Sequence, residues 1–476
     1  MVSFLLSIVI LIVGYFTYGA FVEKVFGIEE KRETPAISME DGVDFMPLSW
    51  PRIFLIQFLN IAGLGPIFGA IMGALFGPAA FIWIVFGSIF AGGVHDFFSG
   101  MLSIRHEGKS ISEIVGIYLG ENARKIMRVF SVVLLILVGT VFMTGPAQLL
   151  ANLGVVGIDN LTLWLGIIII YYFLATILPV DKIIARIYPL FGAALLIMAV
   201  GIGTMLIVKG YNIPEVSLVN MHPKSLSMWP MLFVTIACGA ISGFHATQSP
   251  MMARCLPNEK YGRRVFYGSM IAEGIIALIW AAAAMTFFDG GVVGLNDAIV
   301  NGGGAAGVVK TISSSLLGTI GGVLAMLGVI AAPITSGDTA FRSARLVIAD
   351  ATNYKQAETK NRLLLAIPIF IVGFILTRID FGIIWRYFAW SNQTLAMIVL
   401  WATAAYLIVN EKFHWIATIP ATFMTAVSVT YILQAPEGFK LSTSISYPVG
   451  IIVAILAFIT FLFKFKDNKL PTTERV

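Results

Sequence analysis

The chain has 476 residues, of which 58% are hydrophobic and only 12% are Asp, Glu, Lys or Arg. A soluble globular protein carries roughly a quarter of its residues charged to cover its surface, so this composition, with a mean hydropathy of +0.90, excludes a water-soluble fold and specifies an integral membrane protein. The net charge of +5 does not point to nucleic acid, because the basic residues lie in short gaps between apolar runs, and two cysteines, Cys238 and Cys255, exclude a disulfide scaffold or a four-cysteine metal or iron–sulfur site.

Apolar runs near twenty residues mark membrane spans, since the hydrocarbon core is crossed by about that length of helix. About thirteen follow one another, at 2–22, 52–76, 79–104, 127–151, 161–180, 184–208, 228–253, 265–288, 316–341, 363–377, 383–408, 414–433 and 446–465. The first has no basic residue ahead of it and no A-x-A end, so it reads as a retained anchor helix. Gly77-Pro78 and Asp181-Lys182 make tight turns. The stretch from Asp289 to Ser315, with Gly302 to Gly304, reads as a loop of small and polar residues with space for a short re-entrant element.

The gaps alternate in charge. Of the 31 Lys and Arg residues, all but Lys209, Lys224, Lys310, Arg378, Arg386 and Lys440 fall in gaps of one parity. Cytoplasmic loops carry the excess of Lys and Arg, so the N-terminus is expected outside and the C-terminus in the cytoplasm of a bacterial inner membrane.

Two spans are interrupted. Span 2 reads FLNIAGLGPIFGA, with Asn60, Gly63, Gly65 and Pro66 at mid-membrane. Span 7 reads FVTIACGAISGFHATQSP, with Gly239, Gly243, His245 and Gln248. Both open with F-x-x-I-A before a glycine-rich stretch, and they enter the membrane from opposite sides, five spans apart. Spans 4 and 9 share a late proline, Pro146 and Pro333. Broken helices at matched places of two inverted halves point to a transport site at the midplane; the alternative is that the glycines only let helices pack closely. The expected architecture is all-α. Residues 1–51 form an anchor and loop, 52–208 and 209–408 two inverted five-helix units, and 409–476 two peripheral helices and a tail.

Several longer stretches resemble the carbon starvation protein A family of bacterial transporters: DGVDFMPLSW at Asp41, AGLGPIFG at Ala62, AGGVHDFFSGMLSIRHEGKSISE at Ala91, AEGIIALIWAAAA at Ala272, PITSGDTAFRSAR at Pro333 and IIWRYFAWSNQTLA at Ile383. The chain is similar to a short member of that family. The resemblance implies a secondary transporter taking up pyruvate, amino acids or short peptides under carbon starvation, with a leucine-transporter-type five-plus-five core.

A carboxylate inside a span costs on the order of 2.5–3.5 kcal/mol, so Asp96 and Glu273 need a reason. Each lies on a face of small residues, Ser88/Gly92/Asp96/Gly100 and Ser269/Glu273/Ala277/Ala281, and each reads either as a proton or cation relay or as a strut tying helices together. Thr335, Ser336, Asp338 and Thr339 offer hard oxygen ligands for a cation, a role that the leucine-transporter-type fold implies for this helix; the competing reading is an Asp338–Arg342 pair at i, i+4. His245 is either a packing residue or part of the site. Trp385, Arg386 and Trp390 read as an interfacial belt, Asn392 and Gln393 as deeper groups that could face the pathway, and Arg105 to Lys109 as a plain cytoplasmic loop.

The expected function is cation-coupled import of a small carboxylate nutrient, with substrate at Asn60, Gly63, Gly65, Pro66, Gly239, Gly243, His245 and Gln248. Coupling, by a proton or Na+, is expected at Asp96, Glu273, Thr335, Ser336, Asp338 and Thr339. Partners are a small-molecule substrate and the bilayer, not nucleic acid; no cofactor and no metal are expected. An uncoupled channel and a membrane-embedded enzyme are the rival classes, although no G-x-x-x-x-G-K-[ST], H-E-x-x-H or G-x-S-x-G motif is present.

Overall fold

The computed structural model describes residues 1–465 apart from 43, 155–156, 158, 178–180, 353 and 355–357, with backbone alone at 177 and 181–189. The turn between spans 5 and 6 and the basic tail after Phe465 therefore lie outside the described side chains. The described residues are helical, without a β-strand.

Helix forms at every expected span. Those without an unwound segment are α1 (Val2–Phe26), α3 (Ala79–Arg105), α4 (Glu121–Leu153), α5 (Leu161–Ile177), α6 (Asp181–Val208), α8 (Glu259–Phe287), α9 (Gly304–Thr352, kinked at Gly318), α10 (Thr359–Leu376), α11 (Phe381–Val409), α12 (Trp415–Gln434) and α13 (Thr443–Lys464). The two broken ones are α2 (Trp50–Ile61 and Gly65–Phe76), bent by 53° at its break, and α7 (Met228–Thr235 and Gly243–Ala253). Among the described residues, ten helices are long and apolar enough to cross a membrane alone, and eleven if α2 counts as one span. The short α5 and the split α7 complete the thirteen.

The 289–315 stretch departs from its expectation as a loop. It holds a helix at Val292–Asn301 and the first turns of α9, separated by Gly303 and Gly304, both at positive φ. Ala305, Ala306, Val308, Val309 and Ile312 are buried and pack this segment on α4 and α6. Small residues that looked loop-like in sequence are thus the condition for close helix packing. Gly318, at φ +61, ends this first part of α9. A π-helical turn at Met326–Ala331 then precedes Pro333, whose missing N–H disturbs the regular ladder.

α8 lies at the centre, against α1, α2, α3 and α6. The two breaks meet beside it. A Cβ at Gly65 would overlap the Cys238 side chain, and one at Gly239 would come within 2.6 Å of Ala277 Cβ on α8. Gly239 also holds φ +94, a conformation that a side chain would strain. α12 and α13 stack outward from α11.

Candidate functional site

Unwound backbone inside a membrane must find partners within the protein. The α7 break finds them on α3 and α11. Trp83 Nε1 donates to Ile236 O at 2.9 Å and Ser88 Oγ to Gly239 O at 3.0 Å. Gln393 Nε2 donates to Phe233 O at 2.8 Å. Asn392 Oδ1 accepts from the Phe244 amide at 2.6 Å and from Ser242 Oγ at 3.1 Å. Asn392 therefore caps the second half of α7 from across the bundle, where local capping residues normally serve. The α2 break is left more open: among the described residues, Gly63 and Leu64 donate no backbone hydrogen bond.

The first turn of the second α7 half carries His245 into a polar cluster in which His95, Asp96, His245 and Glu273 are all fully buried. Asp96 Oδ2 lies 2.8 Å from His245 Nδ1, and Asp96 Oδ1 lies 2.8 Å from His95 Nδ1. An ionised Asp96 can only accept, which places hydrogen on both Nδ1 atoms. His245 Nε2 then faces Glu273 Oε2 at 3.3 Å. That distance suits charge pairing, but the geometry does not make a hydrogen bond, and both Glu273 oxygens lack a hydrogen-bond donor. Cys238 Sγ, His245 and Glu273 place their ligand atoms within 4.8 Å of one another. One chain of ionisable groups thus ties α3 and α8 to the broken helix. π-helical turns at Gly87–Gly92 and Arg263–Tyr267 lie just ahead of Asp96 and Glu273, and such turns shift the register of the helix beyond them.

Other candidates lie apart from this cluster. Thr335 Oγ1 donates to Ala332 O at 2.7 Å and Thr339 Oγ1 to Thr335 O at 3.1 Å, both within α9. Asp338 and Arg342 form the i, i+4 pair, at 3.3 Å. Ser336 and Asp338 are buried, and a Cβ at neighbouring Gly337 would meet the Tyr172 hydroxyl and, at 3.2 Å, Phe142 Cβ. The Phe142 ring also abuts Gly63, at 2.6 Å from a Cβ built there. An aromatic ring thus stands between the α2 break and α9. Gln248 Nε2 donates to Thr247 Oγ1 at 2.9 Å, and Asn60 is buried one turn before the break. Gly65 and Gly243 do not border open space. Gly65 faces Cys238, and a Cβ at Gly243 would lie 2.5 Å from Asn392 O. Here close packing, the alternative raised by the sequence, accounts for the glycines.

Two more expectations need correction. Trp385 is no interfacial anchor but is buried against Phe68 and Phe388. Arg105 is no plain loop residue. Its Nε and Nη2 donate to both Glu259 oxygens at 2.6 and 2.8 Å, and Nη1 pairs with Glu29 at 3.2 Å. Residue reading missed the roles of Trp83, Cys238 and His95; Ser88 was visible only as part of the Asp96 stripe. A cavity of about 490 Å³ between α5 and α10, lined by Ile169, Phe173, Ile371 and Phe374 among others, is wholly apolar and offers a carboxylate nothing.

Helices broken five spans apart, with a buried charge cluster beside the breaks, define a secondary transporter of the inverted-repeat class. Its fold is similar to that of MhsT in complex with L-phenylalanine, with a TM-score of 0.54 and 16% identity over 89% of this chain and 99% of that chain. The family profile described as Carbon starvation protein CstA matches residues 1–158 and 152–319, and the chain belongs to that family. An uncharacterized membrane protein of Haemophilus influenzae is 45% identical over 61% of this chain and 92% of its own. A peptide transporter CstA of Campylobacter jejuni is 25% identical over 97% of this chain and 84% of its own. The pyruvate/proton symporter BtsT of Escherichia coli is 26% identical over 58% of this chain and 48% of its own.

Proposed function

We propose that the protein imports small carboxylate nutrients, pyruvate or short peptides and amino acids, across the bacterial inner membrane by proton-coupled alternating access. Residues 52–208 and 209–408 act as the two inverted units, the N-terminus faces outward and the C-terminus faces the cytoplasm. The observation that carries this reading is the buried chain Asp96–His245–Glu273, which joins two continuous helices to the broken one. Coupling requires a group whose charge state differs between the two access states. Carboxylates held out of water beside a helix break can meet that need, because their partners change whenever α7 moves.

The names of the relatives, a peptide transporter and a pyruvate/proton symporter, support the substrate class and the proton. The substrate carboxylate is received at the α2 break, where the amides of Gly63 and Leu64 lack backbone acceptors and Asn60 is adjacent; a broken helix offers such amides to anions. Pro66 and Gly239 keep the two breaks in contact, Gly243 seats the second half of α7 on α11, and together they form the moving seam. The α9 oxygens of Thr335, Ser336, Asp338 and Thr339 are the sites of a sodium alternative.

Uptake of labelled pyruvate, set against a panel of dipeptides and amino acids in proteoliposomes, tests this. An inward proton gradient alone should drive accumulation of at least one of these compounds above the external level. Accumulation driven only by a sodium gradient would move coupling to α9, and uptake that merely equilibrates would indicate a channel.

A further inference from the structure

Beyond substrate transport, the packing of the α7 break leaves an unusual set of side chains facing one point. Cys238 comes from the unwound segment, His245 from the first turn of its second half, and Glu273 from α8. Their ligand atoms all lie within 4.8 Å of one another, and all three residues are buried. We propose that these three residues form a binding site for a divalent ion of the zinc class.

Four features of the surroundings support it. First, thiolate, imidazole and carboxylate are together the donor set of a borderline-soft divalent metal, whereas hard ions such as Mg2+ take oxygen ligands. Second, the ligand atoms already lie within 4.8 Å of one another, near the spacing that bonds of about 2.0–2.3 Å to one shared ion impose. Third, the outer partners are already in place. Asp96 holds His245 Nδ1 at 2.8 Å, the carboxylate–histidine arrangement that fixes the ring and leaves Nε2 for the metal. Asn392 Nδ2 lies 3.3 Å and Ser242 Oγ 3.4 Å from Cys238 Sγ. Fourth, His245 Nε2 and both Glu273 oxygens lack hydrogen-bond partners, so binding breaks no existing hydrogen bond at those atoms.

Charge balance favours the same site. A dication with one thiolate, one carboxylate and a neutral imidazole is a neutral unit, which a water-poor interior tolerates far better than separate charges. Binding releases the thiol proton, and any proton on Glu273, to solvent. With three protein ligands the ion keeps a fourth position for water or a substrate carboxylate. The metal also competes with the coupling proton for His245 and Glu273, so loading should arrest coupled uptake. The site itself stands on geometry and survives if the proposed substrate is wrong.

Cobalt(II) titration of the purified full-length protein tests the site without a transport assay. The expected result is one Co2+ per chain with a thiolate-to-cobalt charge-transfer absorption that excess Zn2+ displaces. Because the chain has only two cysteines, assignment is direct: Cys238→Ser should abolish the absorption and Cys255→Ser should retain it. Glu273→Gln, a conservative variant, should keep the absorption with weaker affinity, and Asp96→Asn should weaken binding about 10–100-fold, as loss of an outer partner does. Absence of stoichiometric cobalt binding in the wild-type protein would overturn the site. So would an absorption that persists in Cys238→Ser or vanishes in Cys255→Ser while size-exclusion profiles remain those of the wild type.

Discussion

Two polar groups in the helical core, one around His245 and one on α9, have similar sequence credentials and opposite structures. Around His245 the partners come from other helices, Asp96 from α3 and Glu273 from α8, and only the His95–Asp96 contact stays within one helix. On α9, the Thr335 and Thr339 hydroxyls return to carbonyls of their own helix, and Asp338 pairs one turn along. Hydroxyls three or four residues from a carbonyl satisfy themselves locally, so they can sit in a membrane helix without any ligand. A buried carboxylate finds such an outlet only where its own helix carries a counter-charge, as Arg342 does for Asp338; Glu273 has none one turn away and faces His245 of another helix. The lesson is that a buried ionisable group without a counter-charge on its own helix points to a long-range contact, whereas hydroxyl clusters need not.

The contrast can be broken most forcefully at its shared residue. His245→Ala leaves Asp96 and Glu273 buried without the ring between them, and removing one partner of a buried pair costs about 3–5 kcal/mol. Thermal unfolding in detergent should fall sharply and transport should vanish; a variant of wild-type stability would mean that the cluster is hydrated and the contrast false.

At the seam between the breaks, Gly65→Leu should force Cys238 aside at a cost of about 1–3 kcal/mol or more, with loss of folded protein rather than of affinity alone. A stable Gly65→Leu protein that merely binds substrate poorly would instead indicate open space beside this glycine. Asn392→Ala removes the acceptor that caps the second half of α7 and should cost about 1 kcal/mol, in the range of other lost caps, with slowed uptake. The smallest effect belongs to α9. Thr339→Val loses one hydrogen bond within its own helix, costs about 1 kcal/mol or less, and should leave proton-driven uptake intact. A loss of uptake there, with folding preserved, would give α9 the coupling role.

Much of the architecture was legible in the sequence because the membrane imposes length and periodicity: all thirteen spans carry helix, and both breaks fall at the glycines that marked them. The 289–315 segment was misread because alanine and glycine that pack helices closely also resemble a loop. At the site, Asp96 and Glu273 stood out individually by the energetic cost of a buried carboxylate, and His245 by its place in the second break. Their meeting could not be read, since it depends on how the unwound stretch from Ile236 to Ser242 turns His245 inward. Trp83 and Ser88 serve backbone carbonyls of that stretch and Asn392 the Phe244 amide just beyond it, tasks that carry no sequence motif. Gly65 and Gly243 were legible as close-approach positions, but what approaches them is another helix. Arg105 looked ordinary because its partner Glu259 is more than 150 residues away.

The central claim is that the buried chain ending at Glu273 couples a proton to transport, and the most direct test separates exchange from accumulation in one variant. Glu273→Gln preserves shape and cannot release a proton. In proteoliposomes it should exchange internal for external substrate at a rate near that of the wild-type protein, yet fail to accumulate substrate under an imposed proton gradient. Proton-driven accumulation at the wild-type level in Glu273→Gln would contradict the account.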